Sequence, residues 1–307
     1  MAVGHGVARR GLLGALGCGA LLGNAAAAAP PPLRLRDALG REVVLPRPAQ
    51  RIVTIFSSNT ELVASLGLAG RIVGIEEFTR FPPEVAALPR VGGRLGFSVD
   101  AVVAQRPDLV IVTPARQAAH QLVDPMQRIG VPVMVLLSRS LGEVIGNVRL
   151  VARAAGVQAR GEALAVSLEQ RLYGVDRQMA GQAPPRALMI TGRMGNGMLL
   201  VARPGTYTHE AMLRAGAQSA LPGIGTLAQV SPEAALASDP DVLLFAGAQA
   251  GLDELARRPG WRDMRAVRRQ RAITVARAEF LIPGPRTFDG IESLAHRLLQ
   301  MQRKGWK

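Results

Sequence analysis

The sequence predicts an α/β protein of two similar lobes, each with a mainly parallel sheet flanked by helices, joined by a long rigid helix. Three observations carry this. Short apolar, β-rich runs alternate with helical patterns between residues 50 and 137. The same alternation returns after residue 185. Between them lies a long run at helical spacing that contains no Pro. Continuous apolar strands with helical crossovers call for a parallel sheet covered on both faces.

In the first half, residues 52–56 form a strand, and 59–66 an amphipathic helix with Asn59 as N-cap, ended by Gly67. Strands follow at 72–75, 109–112 and 131–137, and helices at 99–104 and 116–129. The middle run splits at Gly156. Residues 141–155 are helical, and 157–179 form a second helix with Val157, Leu164, Leu168, Leu172 and Val175 on one side. At ~1.5 Å per residue the second helix spans roughly 35 Å, the length of a small lobe. A strut of that kind permits only small hinge motions, since a larger one would break its backbone hydrogen bonds.

In the second half, strands are expected at 187–191, 198–201, 241–245 and 272–275. Helices are expected at 208–215, 231–237 and 287–301, the second opening on Ser231-Pro232-Glu233 with Pro in the first turn. Arg106-Pro107-Asp108-Leu109-Val110-Ile111 is similar to Asp239-Pro240-Asp241-Val242-Leu243-Leu244. Each follows a short helix that begins near an acid, Asp100 or Glu233, which makes a weak internal repeat. The expected organisation is a leader at 1–29, a lobe at 33–155, a linking helix at 156–182 and a lobe at 183–307.

The leader reads as an export signal. Arg9-Arg10 precedes a short apolar stretch, a run of small residues at Ala25–Ala29 and then three Pro. The apolar part is too short for a bilayer core of roughly 30 Å. Arg9-Arg10 fits a twin-arginine signal, and ordinary secretory starts carry Arg as well. Cys18 is an apolar residue of a removed leader. A lipidated Cys would want Leu three positions earlier, where Ala15 stands. The mature protein then holds no Cys, which suits an oxidising compartment.

Hydrophobic residues at 48% and charged residues at 20% exclude a disordered chain and a collagen. One Cys excludes an internal disulfide and any Cys-cluster metal site, and His5, His120, His209 and His296 are scattered. The formal charge of +14 suits an anionic ligand, an anionic membrane surface or nucleic acid. His209-Glu210 lacks a zinc-peptidase partner, because position 213 is Leu. Gly223-Ile224-Gly225-Thr226-Leu227-Ala228 has dinucleotide spacing, but Pro222 precedes it and no strand does, so it is a Gly-rich loop. Arg265, Arg268, Arg269 and Arg271 form a basic run; with aromatics at 4% of the chain it reads as a solvated face and not as a nucleic-acid surface. No nucleophile, base and orienter assemble, so no enzyme is expected.

Polar and aromatic residues gather at the carboxyl ends of the expected strands, where open parallel sheets bind ligands. They are Ser57 and Ser58; Phe78, Arg80 and Phe81; Thr113 and Arg116; Ser138 and Arg139; Arg193 and Met194; Thr206 and Tyr207; and Phe280. Two such edges facing each other form a cleft. Apolar rings with several Arg suit a bulky ligand that carries negative oxygens.

Several segments, weak alone, are specific in their order. They are Arg51-Ile52-Val53, Thr60-Glu61-Leu62-Val63-Ala64-Ser65-Leu66-Gly67, Arg71-Ile72-Val73-Gly74-Ile75, Leu88-Pro89-Arg90-Val91-Gly92-Gly93 and Val103-Ala104-Gln105-Arg106-Pro107-Asp108. Then come Ile129-Gly130-Val131-Pro132-Val133, Pro204-Gly205-Thr206-Tyr207, Val230-Ser231-Pro232-Glu233 and Pro283-Gly284-Pro285-Arg286. With them the chain, over roughly residues 35–305, resembles the periplasmic substrate-binding proteins of ABC importers for iron–siderophore, haem and cobalamin, whose lobes are joined by one rigid helix.

The resemblance implies a monomeric, non-enzymatic carrier in the periplasm that passes a metal chelate to an inner-membrane ABC permease dimer. The chelate brings its own metal, so no cofactor and no protein-held metal are expected. The resemblance also implies that Asp100 and Glu233 dock on Arg residues of the two permease subunits. Position 100 is usually Glu in the family, so the arm here is shorter. Both acids equally suit a helix N-terminus as such. Haem-binding relatives often place a Tyr after the Leu-Pro-x-Val-Gly segment, where this chain has Gly93; Tyr207, Met194 and His209 remain as candidates. Arg80, Arg116, Arg139 and Arg193 favour an anionic ferric chelate, and the scarcity of Trp disfavours cobalamin. The expected order is ferric siderophore, then haem, then cobalamin, and the alternative of another class is a chelate-modifying enzyme on the same architecture.

Overall fold

The computed structural model describes residues 31–93, 96–113, 119–223, 225, 229–303 and 305, together with 1, 2 and 4. The leader with Cys18, and Arg116, lie outside the described residues. The chain divides into Met1–Pro31 and Pro32–Lys307, and the second unit carries everything that follows.

It begins with a hairpin, β1 (Leu33–Arg36) and β2 (Glu42–Leu45), two strands at the start of the lobe that the sequence does not announce. Leu35, Val43 and Leu45 alternate inward. The Asp37 carboxylate accepts the amides of Leu39, Arg41 and Val135, which fastens the turn to the sheet.

The N-terminal sheet then assembles from β3 (Ile52–Ile55), α1 (Ser57–Ser65), β4 (Ile72–Ile75), a small ribbon of β5 (Gly92–Gly93) and β6 (Gly96–Phe97), α2 (Val99–Ala104), β7 (Leu109–Val112), α3 (Ala119–Arg128) and β8 (Val133–Val135). Its order is β4-β3-β7-β8, every pair parallel. β3 and β7 are buried along their whole length, as continuous apolar runs require. Among the boundaries that differ from expectation, one bears on the site. α1 opens at Ser57 and not after Asn59. Asn59 lies inside the helix, donates to the Ile55 carbonyl at 2.7 Å and accepts from Thr113.

α4 (Leu141–Ala154) and α5 (Gln158–Met179) follow. Gly156 turns the chain between them at φ +70°, and a Cβ there would lie 2.8 Å from Pro48. A Cβ on Gly161 would lie 2.2 Å from the Ala152 side chain, so glycine is what lets α5 approach α4. The buried face of α5 runs through Gly161, Ala165, Leu168, Leu172, Val175 and Met179. The helix is not a free-standing strut. One apolar core runs from Leu62 and Leu109 through Val148, Leu168 and Leu172 to Met189, Met212 and Leu294. Arg149 of α4 pairs with Glu162 and Glu169 of α5.

The C-terminal sheet contains β9 (Arg186–Arg193), β10 (Leu199–Val201), α6 (Tyr207–Arg214), β11 (Gln218–Ser219), β12 (Gln229–Val230), α7 (Pro232–Ala237) and β13 (Val242–Ala246). α8 (Gln249–Ala256), α9 (Arg265–Arg268), β14 (Ala272–Val275), α10 (Arg277–Phe280) and α11 (Arg286–Arg303) complete it. The order is β12-β10-β9-β13-β14, with β11 also on β9. β11, β9, β13 and β14 pair in parallel, whereas β10 is antiparallel to both its neighbours. α5 is tied to this lobe by Arg171 with Asp289 and Glu292 of α11, and by Asp176 with Arg214 of α6.

Candidate functional site

The carboxyl ends of the two sheets meet across a cavity of about 440 Å3. From the N-terminal lobe, Phe56 after β3, Thr113 after β7 and Leu137, Ser138 and Arg139 after β8 line it. From the C-terminal lobe come Thr191 of β9, Val201 and Arg203 at the end of β10, Thr206 and Tyr207 opening α6, and Leu281 and Pro283 before α11. The volume lies in the ordinary range for a small-molecule site, roughly 300–1,000 Å3.

Of the expected ligand residues, Thr113, Ser138, Arg139, Thr206 and Tyr207 meet here. Arg139 is held by Glu143, which it contacts at 2.6 Å, and the guanidinium beside it keeps the Glu143 carboxyl below its usual range. Arg203 has no carboxylate partner among the described residues, so it is the cation free to meet an anion. Burial pushes the Tyr207 phenol well above its usual range, with Thr208 pulling weakly the other way. His209, next along α6, is lowered by burial, and its Nε2 has no hydrogen-bond partner among the described residues.

The other candidates lie elsewhere. Ser57 donates to Glu76 and accepts from Thr79, while Ser58 is buried with its hydroxyl unpartnered among the described residues. Arg80 donates to the carbonyls of Glu77 and Thr79. Arg193 pairs with Glu254 at 3.2 Å, Met194 sits in the exposed turn between β9 and β10, and Phe78 is exposed. Phe280 corrects the expectation of a ring at the rim. Its side chain is wholly buried, packed where a Cβ on Gly290 would meet it at 2.9 Å, and only its carbonyl is used, by Thr208. Arg203 and Phe56 were missed. Phe56 reads in sequence as the last residue of its strand, and Arg203 follows β10 by two residues, so the strand-end signal that selected the others does not single them out.

A second contact between lobes joins Glu61 of α1 to Arg286 of α11. Arg286 Nε donates to Glu61 at 2.8 Å and its Nη2 binds the other carboxylate oxygen. The Arg286 guanidinium also lies 4.0 Å from the centre of the Phe81 ring. Burial raises the Glu61 carboxyl, against the pull of Arg286. A third contact caps a helix across the cleft, because Glu210 of α6 accepts the Leu141 amide at the start of α4.

Asp100 and Glu233 are both exposed, in the first turns of α2 and α7. Ser98 and Ser231 cap these helices in the same way, accepting the amides of Ala101 and Ala234. Its own backbone amide, then Ser231, keep the Glu233 carboxyl below its usual range. Among the described residues no group of three or more His, Cys, Asp or Glu could hold a metal, and no helix is long and apolar enough to cross a membrane.

The wider resemblance fits this geometry. The chain is 24% identical over 272 residues to an uncharacterized ABC transporter substrate-binding lipoprotein, YvrC of Bacillus subtilis, covering 87% of this chain and 85% of that one. It is 24% identical over 265 residues to the vitamin B12-binding protein of Vibrio cholerae, covering 84% and 92%. Among solved structures, the periplasmic heme-binding protein RhuT from Roseiflexus superposes with a TM-score of 0.70 at 28% identity, covering 80% of this chain and 97% of RhuT. Residues 52–278 match the periplasmic binding protein family, to which this chain therefore belongs.

Proposed function

We propose that this protein is the exported capture component of an ABC importer and that its cargo is an anionic iron chelate, with haem the form the cavity fits best. The observation that carries this is the cavity itself. Apolar walls from Phe56, Leu137, Val201, Leu281 and Pro283 suit a flat macrocycle, while Arg139 and Arg203 approach from opposite lobes. Arginine forks suit carboxylate oxygens such as those of the propionates. The Tyr207 phenol on the same wall offers an oxygen ligand for ferric iron. The heme-binding relative at 28% identity supports this reading. Ferric siderophore is the second reading, favoured by the hydroxyls of Thr113, Ser138, Thr191 and Thr206 around the cavity. Arg80 and Arg193, which favoured it in sequence, are engaged elsewhere.

Within this proposal the chain acts as a carrier and not a catalyst, works as a monomer, holds no cofactor of its own and reaches the periplasm through a removed leader at 1–29. The periplasmic and lipoprotein relatives support export. Asp100 and Glu233 are the docking acids for the permease dimer. The test is titration of the mature protein with haemin, ferric siderophores and cobalamin, read by absorbance and calorimetry. Saturable one-to-one haemin binding with a shifted Soret band is expected. Tight binding of cobalamin with none of either iron chelate overturns the proposal.

A further inference from the structure

Three members of the basic run that reads in sequence as a solvated face, Arg265, Arg268 and Arg269, line in the fold a cavity of about 570 Å3. Asp239, Asp263, Arg265, Arg268 and Arg269 form its polar walls. It lies at the opposite end of the C-terminal sheet from the cleft. Asp239 comes just before β13, whose first residue, Val242, pairs with Ala187 at the start of β9, and Arg269 comes just before β14. The cleft instead takes Thr191, towards the carboxyl end of β9. A ligand held here is therefore not the cargo of the cleft.

The charges in this cavity do not cancel. Arg265 is neutralised by Asp241 at 3.0 Å and Asp239 at 3.3 Å, and it also donates to the Asp239 carbonyl. Asp263 has Arg262 beside it at 3.5 Å. Arg268 and Arg269 have no carboxylate partner among the described residues. Beside the cavity, burial and, after it, the Arg269 charge pull the Arg271 guanidinium below its usual range, against the pull of Asp241. Two neighbouring guanidinium groups left uncompensated in a concave site are an arrangement that a dianion neutralises.

We propose that this cavity binds a phosphate-bearing anion, with Arg268 and Arg269 as its charge partners. Guanidinium forks match phosphate oxygens in paired hydrogen bonds, and two uncompensated cations match the two charges of a phosphate group. The cavity is larger than a bare phosphate, so it also has room for the alcohol side of an ester. The phosphate can stand on a soluble ester or on a lipid headgroup, and the test separates these sources.

Mature protein is titrated with inorganic phosphate and glycerol 3-phosphate by calorimetry, and sedimented with vesicles of phosphatidylcholine alone or with phosphatidic acid, whose headgroup is a phosphate monoester. The variant Arg268→Gln/Arg269→Gln is compared with Arg47→Gln/Arg128→Gln, which removes equal charge from exposed positions of the other lobe. Thermal melting and haemin titration check that both variants fold and keep the cleft. Saturable binding of the soluble phosphates places the ligand in solution, and sedimentation with phosphatidic acid vesicles alone places it on a lipid; both support the site. In either case affinity falls roughly tenfold per arginine in the Arg268/Arg269 variant and is kept in the control. No binding by any probe overturns the proposal, as does equal loss in both variants, which would mark a diffuse charge effect.

Discussion

Asp108 and Asp241 do the same work in the two lobes. Asp108 accepts the backbone amides of Gln50 and Arg51 ahead of β3, and Asp241 accepts the amide of Arg186 at the start of β9. The arginines answer alike: Arg51 donates to the Gln105 carbonyl at the end of α2, and Arg186 to the Ser238 carbonyl at the end of α7. Arg106 and Asp239, each just before the Pro-Asp pair, share a positive φ. These bonds tie the carboxyl end of each short helix to the amino ends of the strands. Each helix therefore runs toward the strands' amino ends, and its first turn, with Asp100 or Glu233, lies on the side of the strands' carboxyl ends.

A permease that receives cargo from that side would meet both acids at once. Exposed ion pairs are individually weak, about 0–1 kcal/mol, so they set orientation and encounter rate more than affinity. On the proposed docking, Glu233→Arg would set a like charge against a permease arginine. Uptake is expected to be lost while cargo affinity in solution is unchanged. An unaltered uptake rate would refute the docking role.

How much of this was legible depended on the range of the signal. The Pro-Asp repeat is local and was readable, as were α5 and the buried strands, because helical or apolar periodicity carried them. Asn59 misled because Asn favours N-caps, yet here its amide serves Ile55 from inside the helix. Phe280 misled because a four-residue helix shows no periodicity from which to choose an inward face. The Glu61–Arg286 pair could not be inferred, since 225 positions separate its partners in the chain. Arg203 looked like any other Arg until Thr206, Tyr207 and Leu281 closed the cavity around it.

Arg286→Ala should expose the importance of that long-range pair. Glu61 is only 4% exposed, so its carboxylate would be left buried and unpaired. Removing one partner of such a pair costs about 3–5 kcal/mol when both are fully buried; with Arg286 partly exposed, about 2–4 is expected. The pH dependence has a definite sign. An acid whose folded pKa is raised contributes stability that is full below its unfolded pKa and lost as pH rises through the folded one. Burial already raises Glu61 and loss of Arg286 raises it further. The melting deficit is therefore large near neutral pH and shrinks on acidification toward the carboxylate range. Adding Glu61→Gln should recover part of it at neutral pH. A deficit that does not change with pH would refute this account.

The two cavity arginines should respond differently to neighbouring changes. Arg203 is uncompensated, so Arg203→Gln is expected to weaken an anionic chelate by about tenfold, the worth of one charge-assisted hydrogen bond. Arg139 is occupied by Glu143 at 2.6 Å. Glu143→Gln releases it and removes a negative charge beside the cargo, so affinity should rise several-fold, and less at high salt. Calorimetric titration of both variants checks this. Weaker binding by Glu143→Gln would mean that the ion pair positions Arg139 and does not restrain it.

Tyr207 separates haem from ferric siderophore through a proton. Burial keeps its phenol protonated at ordinary pH. Ferric iron takes a phenol only as the phenolate, so ligation must expel that proton, as metal binding to a protonated ligand does in general. Haemin titrated in buffers of different ionisation enthalpy should therefore release about one proton more per molecule bound to the native protein than to Tyr207→Phe. The variant should also lose affinity and show an altered Soret band. A ferric siderophore arrives with its iron already saturated by its own oxygens, and so leaves the phenol untouched. Equal proton release and equal spectra in the two proteins would take Tyr207 out of the iron's coordination sphere and favour the siderophore.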